Sequence, residues 1–395
     1  MVTKRATRIF FDHASTTPVL PEVLRSMKPY WNQNFANPSA LYEEGLLSHK
    51  AIQTARKTIA DILHAHSDEI VFTGSGTESD NLAIVGVVEG VMEQGKVKKP
   101  HIISTAFEHP AVLEVLKRFE EKKVVTVTYI LPDSDGFVHP KDIADALTDA
   151  TILVSVMYAN NEIGTIQDIR EIAKVIRNFK KNKKTNTMFP YFHTDASQAA
   201  NYLPLNVLEL HTDLLTLDAS KIYGPKGIGL LFVRRGTHLQ PIIFGGGQEE
   251  GRRSGTENIP SIVGFAKALS IVQSDKDKES KRLFSLTSIL TDQILKKYPS
   301  AKLNGSLSNR LPNIVNVCFP NIDAEFAVIK LDSLGVACSM ASSCRTLKEN
   351  DTSYVIESIG RRKECAESSL RLSLGRASTK QEVNQFLKQL KKVLG

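Results

Sequence analysis

The chain has 395 residues, 42% of them hydrophobic and 24% charged, with a net charge of +7. That length and balance suit a soluble enzyme with a large core, of two domains or so, and exclude a disordered or collagen-like chain. The positive charge sits in short runs such as Lys180–Lys184 without interleaved aromatics, which argues against a nucleic-acid partner.

The four cysteines (Cys318, Cys338, Cys344, Cys365) form no CxxC pair and no dense cluster. Disulfides are therefore not expected, and a reducing, cytoplasmic setting is. The first ten residues lack the apolar segment of a secretory signal, and no run is long enough to span a membrane. His and Cys show no ligand spacing, so no metal site is expected.

In chain order, DHASTTP from Asp12 reads as a tight connection, and apolar residues at helical spacing predict a helix over Ser48–Leu63. A strand at Glu69–Thr73 leads into GSGTESDN, with helix expected from Asn81. Gly76 and Thr77 then form a cup for a single phosphate, because a glycine turn ahead of a helix exposes backbone N–H groups. Ser79 stands where the dinucleotide fingerprint needs its third glycine, and GxxxxGK[ST] is absent.

Strands follow at His101–Ser104, before the loop with His109, and at Val124–Ile130. Thr151–Met157, nearly all apolar, leads to Asn161, and Phe189–Phe192 leads to Asp195 and Gln198. Asp213–Asp218 delivers Lys221, and Ile228–Val233 comes next. A lysine set between two apolar runs is held rather than solvated, as Schiff-base lysines are. Alternating strands and helices predict a mainly parallel α/β sheet with polar groups at its strand ends. A glycine-rich loop, GRRSGTEN, precedes a second, smaller domain with helix at Leu283–Ile294, strand at Ile314–Phe319 and helix at Lys380–Leu394.

An amine, a carboxylate, an aromatic base and a phosphate cup on converging strand ends are what pyridoxal 5'-phosphate requires. The chain resembles the class V, pyridoxal-phosphate-dependent cysteine desulfurases. The resemblance rests on DHASTTP, FTGSGTESDNLAI from Phe72, EHPAVL from Glu108, NNEIGTIQDI from Asn160, HTDASQ from His193, SKIYGPKGIG from Ser220, RSGTEN from Arg253 and SLRLSLGR from Ser369. It implies an aminotransferase-like, type I α/β fold. The large domain is expected over 16–260, and the smaller α+β domain over 1–15 plus 261–395.

It also implies roles for single residues. Lys221 would be the Schiff-base lysine and Asp195 the partner of the pyridinium nitrogen, with Gln198 and Asn161 near the ring oxygen. His109 would stack on the ring and exchange protons. Thr77 and Ser220 would bind phosphate, and Thr256 would reach that of the neighbouring subunit in a homodimer. Arg371 would clasp the carboxylate of L-cysteine, and Cys344 would take the sulfur as a persulfide for an acceptor protein of iron–sulfur assembly or tRNA thiolation. Cys318 reads as core, Cys338 as a buried strand-end residue and Cys365 as an incidental surface thiol. Arg345 and Lys348 near Cys344 would favour its thiolate.

Rival readings are another class V enzyme, an aminotransferase or a selenocysteine lyase, or a sulfur-carrier subunit with little turnover. The chain also departs from the family. Met340, Ala341, Ser342 and Ser343 replace a serine-glycine-serine-alanine run before Cys344, in a loop of the long-loop type. Asp218 and Ser220 stand where a serine and a histidine usually help bind phosphate. An ionised carboxylate beside a phosphate is repulsive, so Asp218 is expected to turn away or to pair with Arg252 or Arg253.

Overall fold

Strands that are apolar on both sides, such as LLTLD at Leu214–Asp218, must lie inside a sheet covered on both faces. The computed structural model describes residues 8–95, 97–182, 188–340 and 352–395. Its main sheet has β2 (Ile70–Thr73), β3 (His101–Thr105), β4 (Thr126–Ile130), β5 (Thr151–Ser155), β6 (Tyr191–Asp195), β7 (Leu214–Asp218) and β8 (Gly229–Val233), with β1 (Ile9–Phe10) lying outside it. The order is β2-β8-β7-β6-β5-β3-β4. Neighbours from β4 to β7 pair parallel, and β8 alone runs antiparallel to both of its partners. The expected mainly parallel α/β architecture is therefore present.

β3, β5 and β8 are buried along their whole length, as a doubly covered sheet requires. Helix Gly76–Gln94 packs on one face with Leu82, Val87 and Val91 buried. Helix Ile169–Asn182 covers the sheet through Ile172, Ala173 and Ile176.

The smaller domain has a second sheet, ordered β12-β13-β10-β9 and antiparallel throughout. Its strands are β9 (Lys302–Leu303), β10 (Ile314–Cys318), β12 (Ser339–Met340) and β13 (Ser369–Ser373). β11 (Val336–Ala337) pairs instead with β1, so the N-terminal strand joins this end of the molecule. Helix Lys380–Leu394 packs there through Val383, Phe386 and Leu390.

Three expectations need correction. Helix does not wait for Asn81: it starts at Gly76, because the Ser75 hydroxyl accepts from the Glu78 N–H and caps the first turn. Leu283–Ile294 is only the end of a helix running from Ile259 to Lys297. The charged stretch between continues because its side chains find partners: Asp275 pairs with Arg376, and Arg282 donates to the Gly375 and Ser378 carbonyls.

The cysteines are the third correction. Cys318 and Cys365 form a disulfide across 47 residues. Cys365 is 8% exposed rather than a surface thiol. Its place on the short helix Lys363–Glu367, whose next strand pairs with β10, brings it against Cys318. The reducing compartment inferred from unpaired cysteines loses that support. Non-reducing peptide mapping should recover the Cys318–Cys365 cross-link and two free thiols; four free thiols in the native chain would contradict it.

Candidate active site

The loop from β7 into β8 carries Lys221. Asp218 caps a single 3-10 turn through the Ser220 N–H, which places Lys221 one turn beyond the strand end. The Lys221 ammonium donates to the Ser15 carbonyl, and its own carbonyl accepts from Asn201 at 2.7 Å. Gly229, opening β8, has to be glycine: a Cβ there would lie 2.3 Å from the Ser75 carbonyl carbon. The lysine loop is thereby pressed against the start of helix Gly76–Gln94.

These elements enclose a cavity of about 170 Å³, lined by Gly76, Thr77, His109, Asn161, Asp195, Gln198, Lys221 and Arg371, together with Asp80, Ser197 and Asp218. Eight of the sequence-derived site residues thus meet in one place. Ser220 is not among them, and Thr256 is exposed and lines a separate cavity with Gly74 and Arg253. Cys344 lies outside the described residues.

Hydrogen bonds fix several of these side chains. Asp195, closing β6, accepts from the Ser197 N–H at 2.9 Å, and Gln198 donates to the Ala14 carbonyl at 2.8 Å. His109 caps its helix, with Nδ1 accepting from the Ala111 N–H at 3.1 Å, so a neutral ring carries its proton on Nε2. Burial lowers the His109 pKa; Lys221 adds to that, while Asp195 and Asp218 oppose it.

Arg371, on β13, is 1% exposed. Its Nη2 donates to Asp12 at 2.9 Å and to the Ser15 hydroxyl at 2.7 Å, and its Nη1 donates to the Asn161 carbonyl at 3.1 Å. Among the described residues, Arg371 Nε and Asn161 Oδ1 have no partner, although both are buried. Unsatisfied buried groups of this kind are costly unless a ligand meets them.

At and near the cavity are further buried titratable groups. Burial raises Asp80 well above the usual carboxylate range and lifts Glu108 to about 8, although the latter accepts from Thr105 and the Met157 N–H. Burial also lowers His193 to about 3, between Ser155 and Thr216.

Asp218 does not behave as expected. Arg253 pairs with Glu78 at 2.8 Å, and Arg252 donates to the Asp68 carbonyl. Neither meets Asp218, whose carboxylate accepts instead from the backbone N–H groups of Gly76 and Ser220, at 2.9 and 2.7 Å. Both arginines already have local acceptors, and the backbone donors are closer to the strand end.

Sequence reasoning also missed three contributors. Ser197 was passed over inside HTDASQ, and Asp12 and Ser15 were read only as a turn although they orient Arg371. Nothing in DHASTTP signals a contact 359 residues away.

The donor set fits pyridoxal 5'-phosphate: an amine, a carboxylate, an imidazole and a helix start around one cavity. A family model described as "Aminotransferase class-V" matches residues 9–386. The chain belongs to that family. Its members depend on pyridoxal phosphate, and this chain falls among their cysteine desulfurases. It is 41% identical over 386 residues to a cysteine desulfurase, IscS, of Dictyoglomus turgidum, covering 98% of this chain and 94% of the relative. A solved "NIFS-like protein" superposes with a TM-score of 0.89 at 33% identity, covering 98% of this chain and 99% of that one. A second solved structure, "SspA in complex with cysteine", gives 0.78 at 34%, covering 93% and 98%. Among the described residues no helix is long and apolar enough to cross a membrane.

Glu108 gives a test that needs no substrate. Its folded pKa of about 8 lies above the ordinary 4.5, so the folded chain holds an extra proton between those values. Stability from this group is full below about pH 4.5 and is lost as pH rises through about 8. Glu108→Gln cannot ionise, so its unfolding free energy should fall less steeply between pH 5 and 8, by on the order of 1 kcal/mol per pH unit. Calorimetry across that window checks it, and parallel slopes for the two proteins would contradict it.

Proposed function

We propose that this chain works as a homodimer converting L-cysteine to L-alanine, with the sulfur left as a persulfide on Cys344. One observation carries this reading: the segment bearing Cys344 is tethered at both ends to the rim of the Lys221 cavity. On one side Ser339 pairs with Arg371 across β12 and β13. On the other, the Ser353 hydroxyl donates to Glu162 at 2.6 Å, beside Asn161, and the Tyr354 hydroxyl donates to the Glu108 carbonyl at 2.7 Å. Cys344 is four residues past Met340, so covalent geometry keeps its Cα within about 15 Å of that strand end. Cys338 is a poor alternative, because burial pushes its thiol up to about 12 and keeps it protonated.

Bound pyridoxal phosphate supplies an electron sink that lets the substrate Cα proton leave. Lys221 would hold the cofactor and move that proton, with Asp195 keeping the ring nitrogen charged and Gln198 and Asn161 placed at the ring oxygen. Thr77, Ser220 and the Gly76 N–H would meet the phosphate, joined by Thr256 of the partner subunit. Arg371 would turn its free Nε to the substrate carboxylate, a geometry that planar guanidinium suits. His109, neutral at pH 7 because burial lowers it, would exchange a proton at Nε2 with the substrate thiol.

The Cys344 thiolate then attacks the substrate sulfur. An S–S bond forms, and the C–S bond breaks with its electron pair passing to the substrate carbon. That carbon takes a proton and leaves as the methyl group of alanine. The acceptor of the persulfide would be an iron–sulfur scaffold or a tRNA-thiolation protein. The large domain would cover 16–260, with 1–15 joining 261–395 in the smaller one.

Cys344→Ser should retain the visible absorption of the lysine-bound cofactor while losing sulfide release from cysteine, by about a hundredfold or more. Sulfide assay under reductant reads it. Release at the wild-type rate would remove Cys344 as nucleophile and favour another class V activity.

A further inference from the structure

We propose that Asp218 is a built-in competitor for the cofactor's phosphate, setting how strongly this chain prefers pyridoxal phosphate over unphosphorylated pyridoxal. The carboxylate sits where an external anion would bind. Its Oδ2 accepts from the Gly76 N–H at 2.9 Å, the first residue of a 19-residue helix. The opening N–H groups of a helix have no internal partner, and they draw anions. A Cβ placed on Gly76 would lie 3.0 Å from Asp218 Cβ, 3.1 Å from its Oδ2 and 3.3 Å from Ser197 Oγ. The carboxylate therefore lies against the first residue of the cup and holds its N–H.

Among the described residues no cation forms an ion pair with this carboxylate. Arg253 is paired with Glu78, Arg252 is turned to the Asp68 carbonyl, and Lys221 is turned to the Ser15 carbonyl. A phosphate arriving at Gly76 has to displace Asp218 from its donor or share the cup with it. Displacement costs a short hydrogen bond to a charged group, and sharing sets two anions within a few ångströms in a half-buried site. Either way the penalty would fall on the phosphate and spare the ring, which Asp195, His109 and Lys221 would contact. A neutral side chain at 218 removes the penalty without touching those three residues.

The test uses the full-length chain freed of cofactor, titrated separately with pyridoxal phosphate and with pyridoxal. Visible absorption of the lysine-bound ligand and free ligand in the ultrafiltrate give both dissociation constants. Asp218→Asn keeps an acceptor for the Ser220 N–H and guards against a folding artefact; Asp218→Ser removes the charge together with most of the side chain. In both variants the affinity ratio, pyridoxal phosphate over pyridoxal, should rise about tenfold or more. Inorganic phosphate should also raise the melting temperature of the variants more than that of the wild type. A smaller rise in the ratio, no rise or a fall overturns the proposal. Failure of every protein to bind either ligand overturns it too, and with it the placement of the cofactor at Lys221.

Discussion

The Arg371 guanidinium joins three parts of the chain at the cavity. It is carried on a strand of the smaller sheet, and it donates to Asp12 and Ser15 of the N-terminal segment and to the Asn161 carbonyl beyond the main sheet. Ser15 in turn accepts from Lys221 through its carbonyl. The lysine and the arginine are thus held at a fixed separation by one short turn. A cation this deeply buried is tolerated only with a carboxylate beside it, which Asp12 supplies. Removing either partner would strand a charge and loosen both walls of the site.

Electrostatics sharpen this arrangement by silencing neighbours. Asp80, Glu108 and His193 are buried, and burial favours the neutral form of each near pH 7. The field acting on a ligand then comes chiefly from Lys221 and Arg371 on the positive side, with Asp12, Asp195 and Asp218 opposing them. Such a site suits a cofactor whose ring nitrogen must stay protonated.

Much of this was legible in the sequence. Each main-sheet strand was foreseen to within a few residues, because apolar runs ending in polar or glycine clusters mark buried strands and their ligand-bearing ends. The convergence of Lys221, Asp195, His109 and Gly76 followed from that alternation together with the family motifs. What sequence could not supply were contacts decided by packing. Only the C-terminal part of the helix Ile259–Lys297 was foreseen, because its charged middle carries no apolar period, and the partners that support it lie about a hundred residues on. The Cys318–Cys365 pairing depends on the register of β10 with β13 and has no spacing signature. For Asp218 the departure from the family was visible, yet its partner was misjudged: backbone donors at the strand end were closer than either arginine.

The chemistry proposed for this cavity requires Lys221 to be the residue that holds the cofactor. Borohydride reduction of the cofactor-loaded protein, followed by peptide mapping, measures this directly, since reduction fixes the ligand on whichever amine carries it. A pyridoxyl group on Lys221 is the expected result. Labelling confined to Lys226, which donates instead to the Thr17 carbonyl at 2.9 Å, or spread over surface lysines, would contradict it.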